Sequence, residues 1–127
     1  MPGLKELLGR LIPLNRRRHK RFPAIDGAFV VLGTRMEDGH KFQIIDVSMG
    51  GLAFIYEGSK NDLDEIKTLS IMGGEQLFLD NVFFDPAGTI PMEHAPDINR
   101  QGIEFKYLGV LDKAQLKDFI KNNTYKT

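Results

Sequence analysis

The sequence predicts a mainly β domain, built as a small antiparallel β-barrel or sandwich, with a short helix at each end. Between residues 22 and 107, short stretches rich in β-branched and aromatic residues alternate with clusters of turn residues. Helical spacing of apolar residues occurs near both ends of the chain. At 127 residues, of which 42% are hydrophobic and 27% charged, the chain has the composition of a globular protein and the length for one domain with a core.

The chain divides into an N-terminal amphipathic helix at 1–14, a basic linker at 15–22 and a β domain with a C-terminal helix at 23–127. A helix as short as the first one is marginal in water. Its apolar face is therefore expected to pack on the body of the domain, on a second chain or on a partner. That face is a stripe of residues at helical spacing, which Pro13 ends: Leu4, Leu7, Leu8, Leu11 and Ile12.

The linker reads NRRRHKR from residue 15 to 21 and has no apolar face, which predicts an exposed, mobile segment. Residues 1–22 hold seven of the 17 Lys and Arg residues and a single acid, Glu6, so this part carries +6. The remainder, with ten basic and 16 acidic residues, carries −6. A basic segment on an acidic body predicts a local site for a small anion, because general nucleic-acid binding needs positive charge spread over a face.

Seven strands are predicted in the β region, at residues 28–34, 41–47, 51–56, 68–72, 76–80, 82–90 and 102–107. Two glycine pairs are expected to supply positive φ angles at turns, and two Asp-containing clusters are expected to form turns. The glycine pairs are 50–51 and 73–74, and the clusters are 38–39 and 85–88.

Two helical elements accompany the strands. A single helical turn is expected within residues 60–66. A C-terminal helix is expected over 112–122, with Asp112 as its N-cap and Gln115 completing a capping box. The asparagines at 122 and 123 are expected to end it.

The sequence offers no chemistry typical of an enzyme. Without cysteine it has no disulfide, thiolate zinc site or thiol nucleophile, and no catalytic or dinucleotide-binding motif occurs. His19, His40 and His94 lack the spacing of a zinc helix and are expected at the surface. No apolar run approaches the ~20 residues of a membrane helix, and no secretory signal opens the chain. We therefore expect a cytoplasmic protein without catalytic activity, metal or cofactor.

Two motifs stand apart from this pattern. Arg17 and Arg21 form R-x-x-x-R in the linker, and residues 46–51 form D-x-S-x-x-G. Each motif alone arises by chance in many chains, but their order, separation and β-rich context make the pair more specific. Together with GLAF at 51–54 and GIEF at 102–105, they resemble the PilZ domain family over residues 15–122.

The resemblance implies a fold, a ligand and a site. PilZ domains are six-stranded β-barrels that bind the bacterial second messenger cyclic di-GMP with these two motifs. The family pattern maps onto Arg17, Arg21, Asp46 and Ser48 of this sequence. In the family, an arginine directly before R-x-x-x-R tends to accompany an intercalated dimer of the ligand, so Arg16 implies two molecules per chain. The effector protein that would read the signal is unknown.

The chemistry of the motif residues suits this ligand. A guanine presents N7 and O6 acceptors, which a guanidinium engages in bidentate fashion, and N1–H and N2–H donors, which suit the carboxylate of Asp46. The ligand phosphates need charge-assisted donors, which the basic linker supplies. Ser48 has two possible roles, a hydrogen bond to the ligand or a cap of the turn. Gly50 and Gly51 would let backbone N–H groups approach a purine.

The main functional hypothesis is a receptor in which cyclic di-GMP bridges the linker and the barrel. The ligand orders the linker, and so moves the N-terminal helix or exposes a surface for a partner. The alternative is a small β-barrel adaptor for a protein or a single-stranded nucleic acid, in which residues 46–51 form an ordinary turn. The absence of Trp and the presence of only three Tyr argue against a stacking platform for nucleic acid.

Overall fold

The computed structural model describes residues 19–33, 40–57, 63–92 and 95–125. The predicted N-terminal helix at 1–14, the hairpin signal at 38–39 and His94 lie outside them. The elements are β1 Phe22–Pro23, β2 Ala28–Leu32, β3 Lys41–Val47, β4 Gly51–Glu57, β5 Thr68–Gly73, β6 Gln76–Met92, β7 Ala95–Lys106 and α1 Val110–Asn123.

The described strands form a closed antiparallel barrel. The six longer strands follow one another in the order β3-β2-β5-β6-β7-β4, and a pairing between β3 and β4 closes the circle. The short β1 is an additional strand, which pairs with the second half of β3 through Phe22 opposite Val47 and Pro23 opposite Asp46. The predicted six-stranded barrel with a C-terminal helix is confirmed.

The core lies inside the barrel and beneath α1. Strand residues alternate between the two faces of the sheet, so one face supplies the interior with side chains such as Val30, Phe54 and Ile71, all fully buried. From α1, Leu116 and Phe119 are fully buried, and Phe119 contacts Phe78 of β6 edge to face, with ring centroids 5.3 Å apart. Burial of such a ring contributes about 1.5–3 kcal/mol, so the helix is an integral part of the domain.

Strand β6 is longer than predicted, because it is one element of 17 residues where two strands with a turn at 85–88 were expected. Asn81, at a φ of 51°, lies at a shift of register against β5, and a second shift, against β7, falls between Pro86 and Gly88. The turn residues therefore form bulges within a continuous strand. Beyond Phe83 the strand pairs only with β7, and such an open edge tolerates proline.

Two other local predictions are wrong. Gly50 and Gly51 do not have positive φ angles, whereas Gly74, in the loop between β5 and β6, has a φ of 61°. Helix α1 begins at residue 110, two residues before the predicted start, with Gly109 as its N-cap. Asp112 therefore lies in the first turn, where its side chain accepts a hydrogen bond from the Gly109 N–H at 3.1 Å.

The helical turn expected within 60–66 is present where that region is described. Residues 63 and 64 are helical, and Leu63 is fully buried in the core. No helix in the described ranges is long and apolar enough to cross a membrane.

Candidate functional site

Asp46 occupies the centre of the candidate site, near the end of β3. A shift of register between Ile44 and Asp46 leaves Ile44 and Val47 fully buried in the core while the Asp46 side chain keeps 18% of its surface exposed. Arg100, on β7, donates a hydrogen bond from Nη2 to Oδ2 of Asp46 at 2.6 Å. Arg21 forms a longer ion pair, with its Nη1 3.6 Å from Oδ1. Two guanidinium groups thus face one carboxylate.

The second carboxylate oxygen of Asp46 is less well satisfied than the first. Oδ1 is buried, yet it accepts no hydrogen bond within the described part of the chain, because 3.6 Å to Arg21 is too long for one. A buried acceptor without a donor costs free energy. Oδ1 therefore has unused acceptor capacity, which a bound molecule could reach only after a neighbouring side chain moves.

Ser48 organises the tight turn that follows β3. Its backbone N–H donates to the carbonyl oxygen of Gly51 at 2.8 Å, and its Oγ accepts from the N–H groups of Gly50 at 3.1 Å and Gly51 at 3.2 Å. Of the two roles considered for Ser48, the turn cap is the one present in this structure. The two glycine N–H groups are engaged within the turn.

The two glycines of the motif bring the turn close to other parts of the barrel. The Gly50 carbonyl oxygen accepts a hydrogen bond from the Phe105 N–H at 3.0 Å, and a Cβ on Gly50 would lie 2.7 Å from Cδ2 of His19. A Cβ on Gly51 would overlap the carbonyl oxygen of Ile103 on β7. Gly51 therefore needs glycine for close approach to the β7 backbone rather than for an unusual φ, whereas the neighbour of Gly50 is an exposed side chain that can move.

A cleft of about 900 Å³ opens beside this turn on the outer face of the barrel, within the range of small-molecule sites. Gly51, Gly88 and Gly102 line it, and their cross-strand pairings place them on one face of the sheet. Because they have no side chains, the floor is bare backbone. The other lining side chains include the cationic Arg21 and Arg100, His19, the anionic Glu104 and apolar residues such as Phe105.

The structure thus brings together five of the residues that the sequence singled out. Four of them line the cleft. The fifth, Asp46, forms ion pairs with Arg21 and Arg100, which also line the cleft. Arg16 and Arg17 lie outside the described residues. The four lining residues are Arg21, Ser48, Gly50 and Gly51.

Sequence reasoning missed Arg100 and His19, and it did not assign the floor glycines Gly88 and Gly102 to the site. Arg100 belongs to no motif, and only its position in a strand, two residues before Gly102, could have placed it on the same face. His19 was expected at the surface and is exposed there, but it also borders the cleft. His40 is exposed as expected. Within the described ranges, no group of three His, Asp or Glu side chains could hold a metal ion.

Comparison with known proteins gives matches at the level of structure only. No model of a protein family matches the sequence, and no curated protein matches it. A complex of MrkH from K. pneumonia with c-di-GMP superposes with a TM-score of 0.65 at 16% identity, covering 84% of this chain and 52% of that one. The chain thus spans about half the length of that protein.

Two structures of YcgR from Escherichia coli also match. Its PilZ domain with c-di-GMP has a TM-score of 0.55 at 18% identity, covering 84% of this chain and 89% of that one. YcgR in complex with c-di-GMP has a TM-score of 0.58 at 19% identity, covering 84% and 45%. At these identities the likeness concerns the fold. The chain has the β-barrel fold of PilZ domains, as the two sequence motifs implied.

Proposed function

We propose that this chain is a receptor domain for cyclic di-GMP and has no catalytic role. The observation that carries the proposal is the carboxylate of Asp46, held between Arg21 and Arg100 with one oxygen lacking a hydrogen bond. Both arginines line a cleft of suitable size, in a fold whose solved neighbours include complexes with c-di-GMP.

The site matches the functional groups of a guanine. The guanidinium of Arg21, with 38% of its side chain exposed, is accessible to the O6 and N7 acceptors. Oδ1 of Asp46 would accept from N1–H or N2–H once the neighbouring Arg21 side chain moves and uncovers it. At Gly88 and Gly102 of the floor, a planar purine can approach the backbone without meeting a Cβ.

Arg100 is a positioning residue in this proposal. Its hydrogen bond to Oδ2 fixes the orientation of the Asp46 carboxylate and leaves Oδ1 for the ligand. It also compensates the negative charge of Asp46 when the ligand phosphates arrive. Arg17 would contribute a second guanidinium from the linker.

Arg16 determines the stoichiometry in this proposal. Two stacked molecules bring four phosphates and four guanine rings into one site, so a third linker guanidinium offsets their repulsion and covers an additional ring. The ligand is therefore bound as an intercalated dimer.

The proposed signal passes through the linker to an effector protein, in the bacterial cytoplasm. Arg21 directly precedes β1, which is hydrogen-bonded to β3 beside Asp46. A ligand that contacts both Arg21 and the residues before it restrains the linker relative to the barrel. The resulting change in the linker and the N-terminal segment is what the effector would read.

Titration calorimetry with cyclic di-GMP tests the proposal. Arg21→Ala and Asp46→Ala should each weaken binding roughly 10- to 100-fold, since one bidentate contact to guanine is worth about 1–3 kcal/mol. Lys41→Ala is the control for Arg21→Ala, because Lys41 is an exposed cation outside the linker and lies over the Phe29 ring, 5.8 Å from its centroid. Asp64→Ala, which changes an exposed aspartate, is the corresponding control for Asp46→Ala.

Binding should also weaken as salt rises, because ions screen the contacts to phosphate. A short single-stranded oligonucleotide, titrated in parallel, should bind more weakly than cyclic di-GMP. Folded wild-type protein that gives neither heat nor a thermal shift at high ligand excess would refute the proposal. Tighter binding of the oligonucleotide would favour the adaptor alternative.

A further inference from the structure

A second exposed surface lies where β7 passes into α1. Four large apolar side chains are exposed there, and we call them the junction patch: Phe83 at 51%, Tyr107 at 81%, Val110 at 89% and Leu111 at 70%. The rings of Phe83 and Tyr107 contact each other edge to face, with centroids 6.2 Å apart. Val110 and Leu111 follow within four residues and open α1.

The backbone at Tyr107 supports a role for this patch. Its φ is 56°, in the left-handed region that residues other than glycine enter at a cost in strain. Burial of the Tyr107 ring does not offset this strain, because the ring is mostly exposed. The ring contacts Phe83 and the Lys106 ammonium, which lies 5.2 Å from its centroid. A strained residue that presents an aromatic ring to solvent indicates a contact surface.

We propose that the junction patch binds the apolar stripe of the chain's own N-terminal segment, residues 4–12. This segment lies outside the described residues. The described chain begins at residue 19, and the position of that residue allows the segment to reach the patch. His19 lies against Gly50, whose carbonyl oxygen accepts from the Phe105 N–H at 3.0 Å. Tyr107 is two residues further on, about 7 Å along the chain. Residues 15–18 span up to ~14 Å, enough to bring the preceding segment onto the patch.

The size of the patch favours a tethered occupant over a separate protein. At about 200 Å² for a fully exposed aromatic side chain and somewhat less for an aliphatic one, the four exposed fractions amount to roughly 500 Å². A stable interface between separate proteins buries about 800 Å² on each partner. A short tether raises the local concentration of the stripe to the millimolar range, so that a smaller contact suffices.

Opposite net charge favours contact between the N-terminal segment and the rest of the domain. At the patch, Asp85 lies two residues beyond Phe83 on the same face of β6 and is ion-paired with Lys106 at 3.5 Å, and Asp112 lies in the first turn of α1. The stripe is flanked by Lys5, Glu6 and Arg10, a net charge of +1. Over the whole chain, residues 1–22 carry +6 and the remainder −6, so the field of the body attracts the segment.

Paramagnetic relaxation in solution tests this docking directly. The chain has no cysteine, so a spin label at Glu6→Cys, opposite the apolar stripe on a helix, is unique. We expect the label to broaden the amide signals of residues 107–111 and to spare those of 74–77 in the β5–β6 hairpin. Unaffected signals at 107–111, or uniform broadening over the surface, would overturn the proposal.

A mixed sample distinguishes the chain's own segment from a second copy. In it, ¹⁵N-labelled chains without the spin label are combined with spin-labelled chains that carry no ¹⁵N. Docking within one chain predicts no broadening of residues 107–111 in this sample, and broadening there would show that the patch binds another copy.

Two matched substitutions complete the test. In the spin-labelled chain, Leu111→Glu should abolish the selective broadening, whereas Leu77→Glu should retain it. Leu77 is also exposed, at 42%, and lies about 20 Å from Phe83 along β6. Retained broadening in a folded Leu111→Glu variant would contradict the docking site, and so would its loss in Leu77→Glu. These measurements need no ligand, so their outcome is independent of the proposed binding of cyclic di-GMP.

Discussion

The two glycines of the D-x-S-x-x-G motif should respond very differently to the same added methyl group. In Gly51→Ala the new Cβ overlaps the Ile103 carbonyl oxygen, an atom of the β7 backbone that moves only if the strands separate. In Gly50→Ala the Cβ meets the exposed His19 ring at 2.7 Å, and that ring can rotate away. The first substitution therefore strains the barrel and the second does not.

The magnitudes follow from this difference. Overpacking against a rigid neighbour costs about 1–3 kcal/mol. Gly51 stands at the end of the β4–β7 ladder, where the strands can part locally, so we expect about 2–3 kcal/mol for Gly51→Ala. At about 4 °C per kcal/mol for a domain of this size, the midpoint of thermal unfolding should fall by roughly 10 °C. Gly50→Ala should stay within about 0.5 kcal/mol of the wild type.

Circular dichroism of thermal and urea unfolding measures both changes. Equal stability losses in the two variants would refute the reasoning, and so would a Gly51→Ala variant as stable as the wild type. Such results would mean that the β7 backbone does not approach Gly51 closely enough to exclude a methyl group. Glycine at this position would then have to be explained by the ligand.

Four other changes test separate parts of the molecule. Ser48→Ala removes the acceptor of two glycine N–H groups and should lower the free energy of unfolding by about 1–2 kcal/mol; a loss of ligand affinity without loss of stability would contradict its role in the turn. Asp112→Ala removes the acceptor of the N-cap N–H and should cost about 0.5–1 kcal/mol, with faster amide exchange in the first turn of α1. Phe119→Ala, at a fully buried position, should cost about 3–5 kcal/mol, and a loss under about 1 kcal/mol would show that α1 is not part of the core. Arg16→Leu should lower the calorimetric ligand ratio from two towards one per chain, and a ratio near one in the wild type would exclude the intercalated dimer.

The positions of most strands could be predicted because the signal is local. Stretches rich in β-branched and aromatic residues between turn residues indicate which residues form β3 and β4, and the glycines at 73 and 74 indicate the hairpin between β5 and β6. The prediction failed where turn-forming residues lie inside a long strand. Pro86 and Gly88 are turn formers, but β7 pairs with both sides of the cluster, and this pairing between distant parts of the chain overrides the local preference.

The candidate site could be predicted only as far as its motifs extend. Asp46 and Arg21 are recognisable from spacing, and the structure brings them together. Arg100 is 54 residues away from Asp46 in sequence and becomes its neighbour only because β7 lies beside β4 in the closed barrel. No local pattern carries that information. Asp112 shows a similar ambiguity within a local motif. Acidic and polar residues are favoured both at the N-cap and at N3 of a capping box, so the sequence alone does not decide which of these positions Asp112 occupies.

The short strand β1 has neighbours on both sides. On one side it pairs with β3 beside Asp46. On the other, the Tyr125 N–H donates to the Pro23 carbonyl oxygen and the Ile25 N–H to that of Asn123, each at 3.0 Å. The segment that leads out of the basic linker is thus joined laterally to the end of the C-terminal helix.

This arrangement couples the linker to two elements at once. A displacement of Arg21 acts on β1, which is hydrogen-bonded both to β3 of the barrel and to the segment that ends α1. The junction of residues 22–25 with 123–125 is therefore where a movement of the linker would reach the C-terminal helix without passing through the barrel core.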